Sequence, residues 1–148
     1  MNKSSIIHLL HKNTEADFSV FSTYIRENIN TEIVEMFRKL YGAWMTRCQM
    51  PDILIQSNPL YYTDNEEFHL LQNYCIQLGD KVLPLVYDKV CNGEFLSMFL
   101  LENIMSDDDK EYMSDIKKIN HESYKPHAPI YNARLYAITT FKRNFTME

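Results

Sequence analysis

The chain has 148 residues, 45% of them hydrophobic and 13% aromatic, with 3 glycines and a formal net charge of −5. This length indicates a single domain, residues 1–148, with enough apolar material to build a core, which excludes a disordered chain. So little glycine argues against an all-β fold with its many turns, and no run of about 18 apolar residues exists to span a membrane.

Helical periodicity dominates from the start. Residues 4–12 read as a short amphipathic helix through Ile6, Ile7, Leu9 and Leu10. His8 and His11 interrupt its apolar run and no small-residue cleavage site follows, so it is read as mature protein, not a signal peptide. Thr14 is expected to cap a second helix to about residue 28, with Asp17 in the capping-box position. Phe18, Phe21, Tyr24 and Ile25 form its apolar side.

A third helix, residues 31–48, carries the stripe Ile33, Phe37, Leu40, Tyr41, Trp44 and Cys48, the strongest amphipathic pattern in the chain. Gly42 interrupts it at a cost of about 1 kcal/mol relative to Ala, and is expected to let a neighbouring helix approach closely. Pro51 ends this helix. Residues 51–62 have no helical period; 53–55 are expected to be extended, and Asn58-Pro59 reads as a turn.

Thr63 opens a capping box with Glu66, starting a fourth helix to Leu78 with Phe68, Leu71, Cys75 and Leu78 on its stripe. Gly79 is suited to the left-handed conformation that stops a helix, Asp80 to capping the next, and Pro84 to that helix's first turn. The fifth helix runs to about Cys91, where Asn92-Gly93 closes it. The sixth, residues 94–105, is apolar nearly all round and is expected at the centre of the core. Ser106 caps a seventh helix. Asp107, Asp108 and Asp109 lie at its positive end, and Lys117 and Lys118 are placed at its negative end. A loop with two prolines spans 120–129, and a last helix of about 130–145 turns Leu135, Ile138 and Phe141 or Phe145 inward.

The fold class is therefore all-α, an irregular bundle of about seven or eight short helices. Leu78-Gly79, Pro84-Leu85, Asn92-Gly93-Glu94 and Leu100-Leu101-Glu102-Asn103-Ile104 together resemble a HEAT-like helical-repeat junction. They are also similar to a group of small uncharacterised all-helical bacterial proteins with the same Gly-x-x-x-x-Pro corner. The resemblance covers residues 64–105, and no second copy occurs at a period of about 40 residues. It implies a HEAT-like layer in the middle of the bundle and a binding surface. It brings no catalytic residues.

No glycine-rich phosphate loop, nucleophile elbow, dinucleotide fingerprint or kinase signature is present. No catalytic residue, cofactor or metal is assigned. His8 and His11 share a helical face at a spacing that can hold a metal, with a third ligand from His69, His121 or His127; two surface histidines are the simpler expectation. Cys48, Cys75 and Cys91 are odd in number and lack the close pairs of a zinc site. They are read as buried thiols of a cytoplasmic protein. Asp107 to Asp109 can offer hard oxygens to a divalent cation, but they lack the spacing of a calcium loop, and helix capping explains them.

Two surfaces remain. Residues 1–115 carry 9 basic and 18 acidic side chains, whereas residues 116–148 carry 6 basic and 2 acidic. Lys118, Arg134, Lys142 and Arg143, interleaved with aromatic residues, are candidate nucleic-acid contacts, set against the simpler expectation that this segment docks on the acidic body. Tyr61 and Tyr62 are a candidate partner surface, because tyrosines anchor many interfaces. The expected function is a non-catalytic interaction or adaptor protein whose partner is another protein or a second copy. The alternatives are a nucleic-acid-associated protein and, third, a histidine-based metal protein or enzyme.

Overall fold

A computed structural model describes residues 3–13, 19–56, 58–123 and 129–145. The protein is all-α, and among the described residues there is no strand. The helices are α1 (Lys3–Asn13), α2 (Ser19–Asn28), α3 (Thr31–Cys48), α4 (Pro51–Leu54), α5 (Glu66–Leu78), α6 (Leu83–Cys91), α7 (Ser97–Ile104), α8 (Asp107–Ser123) and α9 (Pro129–Phe145). The expected Thr14 cap and Asp17 lie outside the described residues. Of the predicted second helix, the part from Ser19 onward is described.

The helices form where apolar stripes and caps coincide. In α3 the buried residues Phe37, Tyr41, Trp44 and Cys48 recur at helical spacing, and Asn30 caps the helix by accepting from the Glu32 amide at 2.7 Å. Gly42 lies on the exposed side, and a β-carbon there would meet nothing within 4 Å. The expected close helix approach at Gly42 is therefore absent. The cap of α5 is Asn65, not Thr63: its Oδ1 accepts from the Phe68 amide at 2.8 Å. Asn at this position stabilises a helix start at least as well as Thr.

Gly79 stops α5 with a positive φ of +57°, as its position in the sequence predicts, but its ψ of −126° lies outside the left-handed helical conformation expected. Asp80 does not cap α6. It lies in a 3-10 turn, residues Gly79–Lys81, and α6 starts after Val82 without a side-chain cap. Pro84 falls in the first turn of α6, where a missing amide leaves no helix bond broken. The predicted sixth helix is shorter than expected, since Glu94 to Leu96 form a turn before α7 begins at Ser97. Lys117 and Lys118 are interior to α8, which continues to Ser123.

Segment 51–62 differs most from expectation. Pro51 ends α3 and also starts α4, because Met50 is extended and proline suits a first helical position. Asn58 then caps a 3-10 turn, Pro59–Tyr62, by accepting from the Leu60 amide at 3.0 Å. A four-residue helix and a 3-10 turn are too short to show a period.

The core is one connected cluster of buried side chains. Its centre is α6, where Leu83, Pro84, Leu85, Val86, Tyr87, Val90 and Cys91 are all buried. The predicted central helix, α7, keeps Phe99 half-buried, and Phe95 in the turn before it is exposed. The most extensive packing is between α6 and α9. Here Phe141 meets Phe21 of α2 at 4.4 Å, Tyr87 at 5.7 Å and Phe145 at 5.2 Å between ring centroids. On the other side α5 lies mainly on α3, and α7 touches both α5 and α6. Tyr41 ties α3 to α7: its hydroxyl donates to Glu94 at 2.9 Å and lies 2.7 Å from Ser97 Oγ.

Candidate interaction surface

The segment from Met50 to Tyr62 is held from beneath by α3 and α5. Arg47 donates through both terminal nitrogens to the two oxygens of Asp52, each at 2.8 Å, and its Nε lies 3.9 Å from Glu67. This forked pair holds Asp52 below the usual carboxylate range. Trp44 Nε1 donates to the Tyr62 carbonyl at 2.7 Å, and Cys48 Sγ reaches the same oxygen at 3.8 Å. Asn65 Nδ2 donates to Tyr62 O at 3.0 Å, so the residue that caps α5 also fixes the turn before it. Ile53 is buried and anchors α4.

Above these anchors the segment turns apolar side chains outward. Ile55 is 79% exposed, Leu60 67% and Leu54 57%, and Met50 and Tyr61 are exposed as well. They are five of nine exposed large hydrophobic residues among the described ones, gathered within twelve positions. Of the two tyrosines in the predicted partner surface, Tyr61 is at the surface and Tyr62 is half-buried against the core. The four aliphatic and thioether members carry no amphipathic signal, so a pattern search passes over them.

Of the four predicted nucleic-acid contacts, Lys118 lies on α8 and Arg134, Lys142 and Arg143 lie on α9. Lys118 is exposed on α8. Arg143 lies 2.9 Å from Asp108 and 3.8 Å from Asp109, with its guanidinium 4.3 Å above the Tyr112 ring. Lys142 donates to Asn13 Oδ1 at 3.1 Å. Arg134 is half-buried, and its carbonyl accepts from Cys91 Sγ at 3.7 Å. The acidic first turn of α8 is thus a docking point for the basic end of α9.

The remaining chemical groups are built into the fold. Burial pushes the Cys48 thiol up to about 11 and Cys75 to about 12, and raises Cys91 further, so none is a thiolate near neutrality. His8 and His11 are both exposed on α1. Among the described residues no group of three or more histidine, cysteine or carboxylate side chains is arranged to hold a metal. A cavity of about 420 Å³ opens beside Asp80, Leu83, Ser106, Asp109 and Asn144. Three of its polar residues are engaged with one another: Ser106 Oγ accepts from the Asp109 amide at 3.1 Å, and Asn144 Nδ2 donates to both Asp109 oxygens at 2.9 and 3.0 Å.

Among the described residues no helix is long and apolar enough to cross a membrane. No family model, curated protein or solved structure matches the chain.

Proposed function

We propose that the protein is a non-catalytic helical interaction module whose contact surface is the apolar segment from Met50 to Tyr61. The observation that carries this reading is the clustering of Met50, Leu54, Ile55, Leu60 and Tyr61 at the surface over a backbone fixed by Trp44, Arg47 and Asn65. An exposed apolar group is unremarkable singly, but soluble proteins rarely expose contiguous apolar patches larger than a few hundred Å², and those that do use them as contact sites. Fixing the backbone beforehand lowers the ordering cost of binding. The HEAT-like resemblance of residues 64–105 fits this reading as a scaffold that holds the segment in place.

The test compares wild type with Ile55→Glu and Leu60→Glu, two exposed positions where a charge leaves folding intact. Both variants should keep wild-type circular dichroism. Association, read by sedimentation of the pure protein and by quantitative co-purification from its host, should fall at least tenfold. Equal association by both variants and the wild type would refute the assignment.

A further inference from the structure

The methionines of this chain sit in unlike surroundings. Among the described ones, Met98, Met105 and Met113 are buried and Met45 packs against the core, whereas Met50 is 44% exposed and Met36 42%. Exposure opens a thioether to oxidants in water, and burial protects it. The two exposed sulfurs differ in one respect. Met50 Sδ accepts from Arg47 Nη1 at 3.5 Å, a contact without a counterpart at Met36 among the described residues.

Arg47 Nη1 carries two hydrogens and makes two contacts, Asp52 Oδ1 at 2.8 Å and this sulfur. Nη2 holds the other Asp52 oxygen. One guanidinium hydrogen is thus spent on a thioether, which is a weak acceptor. An oxygen added to that sulfur is a far better partner for the same donor, and it leaves the forked pair with Asp52 in place. In a core, methionine oxidation inserts a polar group that disrupts the packing. At Met50 the donor is already there, and the change falls on the surface, beside Leu54 and Ile55.

We propose that Met50 is a reversible oxidation site for hydrogen peroxide, and that its sulfoxide, held by Arg47, makes the exposed apolar segment polar and closes it to partners without unfolding the protein. A sulfur lone pair attacks one peroxide oxygen, the S–O bond forms and the O–O bond breaks. The proton on the transferred oxygen passes to the departing hydroxide, which leaves as water. Sulfur loses two electrons and peroxide gains them. Methionine sulfoxide is returned to the thioether by enzymatic reduction, which makes such a site a switch. The effect on partners rests on the contact-surface reading above; the oxidation itself does not.

Measurements on the full chain test this. After dilute hydrogen peroxide, peptide mapping should find Met50 oxidised about tenfold faster than the buried Met98, Met105 and Met113. Equal rates would overturn Met50 as the site. Retention on a phenyl matrix reads the apolar surface without a partner. Peroxide should lower it in wild type and in Met36→Leu, each against its own untreated form, while Met50→Leu loses most of that response. A response that Met50→Leu keeps in full would overturn the assignment. The urea midpoint of wild type, taken relative to Met50→Leu treated alike, should be the same before and after oxidation. A fall would show that the new oxygen breaks the Arg47–Asp52 pair instead of joining it. Association separates this proposal from the reading it rests on. Loss of association with Ile55→Glu but not with peroxide would overturn the switch alone. Association that Ile55→Glu leaves unchanged would overturn the contact surface and its regulation, while mapping and retention still decide the oxidation site.

Discussion

Two buried tyrosines make opposite demands on the fold. Tyr41 is 4% exposed, and its hydroxyl serves Glu94 and Ser97. Removing it leaves Ser97 Oγ, which is wholly buried, without that partner, so Tyr41→Phe should lose about 1–3 kcal/mol of stability. Tyr87 is also wholly buried, yet among the described residues its hydroxyl has no hydrogen-bond partner. Tyr87→Phe removes a desolvated hydroxyl and keeps the ring against Phe141, so it should be neutral or stabilising by up to about 1 kcal/mol. Urea midpoints at unchanged slope would check the pair, and a larger loss at Tyr87 than at Tyr41 would contradict both arguments. The sequence pattern makes Tyr41 a core residue of its stripe, but not a bonded one. Its partners lie 53 and 56 positions away, and no local rule connects such distances.

Periodic stripes are legible over long helices, as α3, α5 and α9 demonstrate, because many positions vote for one face. Short elements give too few votes. Segment 51–62 hides α4 and a 3-10 turn for that reason, and the patch above them is hidden with it. Helix ends are most legible where one residue type is forced or a single capping residue stands alone, as Ser106 does before α8. Gly79 is such a case, since φ +57° strains any residue with a β-carbon, while the choice of Asn65 over Thr63 as a cap depends on which of two adequate residues is better placed. The two glycines therefore predict opposite signs. Gly79→Ala meets no atom within 4 Å, so its cost is conformational, about 1–3 kcal/mol for a residue with a β-carbon at this φ and ψ. Gly42→Ala, on the open side of α3, should add about 0.5–1 kcal/mol by removing unfolded-state freedom. Thermal unfolding of the two variants should move Tm in opposite directions, and a shared direction would show that the φ argument fails here.

At the scale of the whole molecule, the all-helical class is legible because composition and periodicity agree, while the exposed apolar segment, proposed above as a contact surface, is legible only as a region. Tyr61 and Tyr62 mark that region, but its exposure arises from tertiary anchors at Trp44, Arg47 and Ile53. The same burial that makes the core sets its response to pH. Cys48, Cys75, Cys91, Tyr41 and Tyr87 belong to α3, α5 and α6, and desolvation raises every one of them, because a low-dielectric interior disfavours a thiolate or phenolate. In the unfolded chain these groups ionise near their ordinary values, 9.0 for the thiols and 10.0 for the phenols. The unfolded state therefore sheds protons first as pH rises, and stability must fall with pH in that window. It should be level through neutrality and decline from about pH 9, with the loss continuing through about 11 at Cys48 and about 12 at Cys75. On the acid side the resolved lowering of a carboxylate is that of Asp52, paired with Arg47 at the surface, where screening leaves little effect on stability. The urea midpoint should thus drop between pH 8 and pH 10.5 far more than between pH 8 and pH 5.5. Replacing Cys75, the wholly apolar case whose shift comes from burial alone, with Ala should flatten the alkaline limb while lowering stability at neutral pH through the cavity it leaves. An alkaline limb unchanged by Cys75→Ala would mean that this thiol does not couple ionisation to folding.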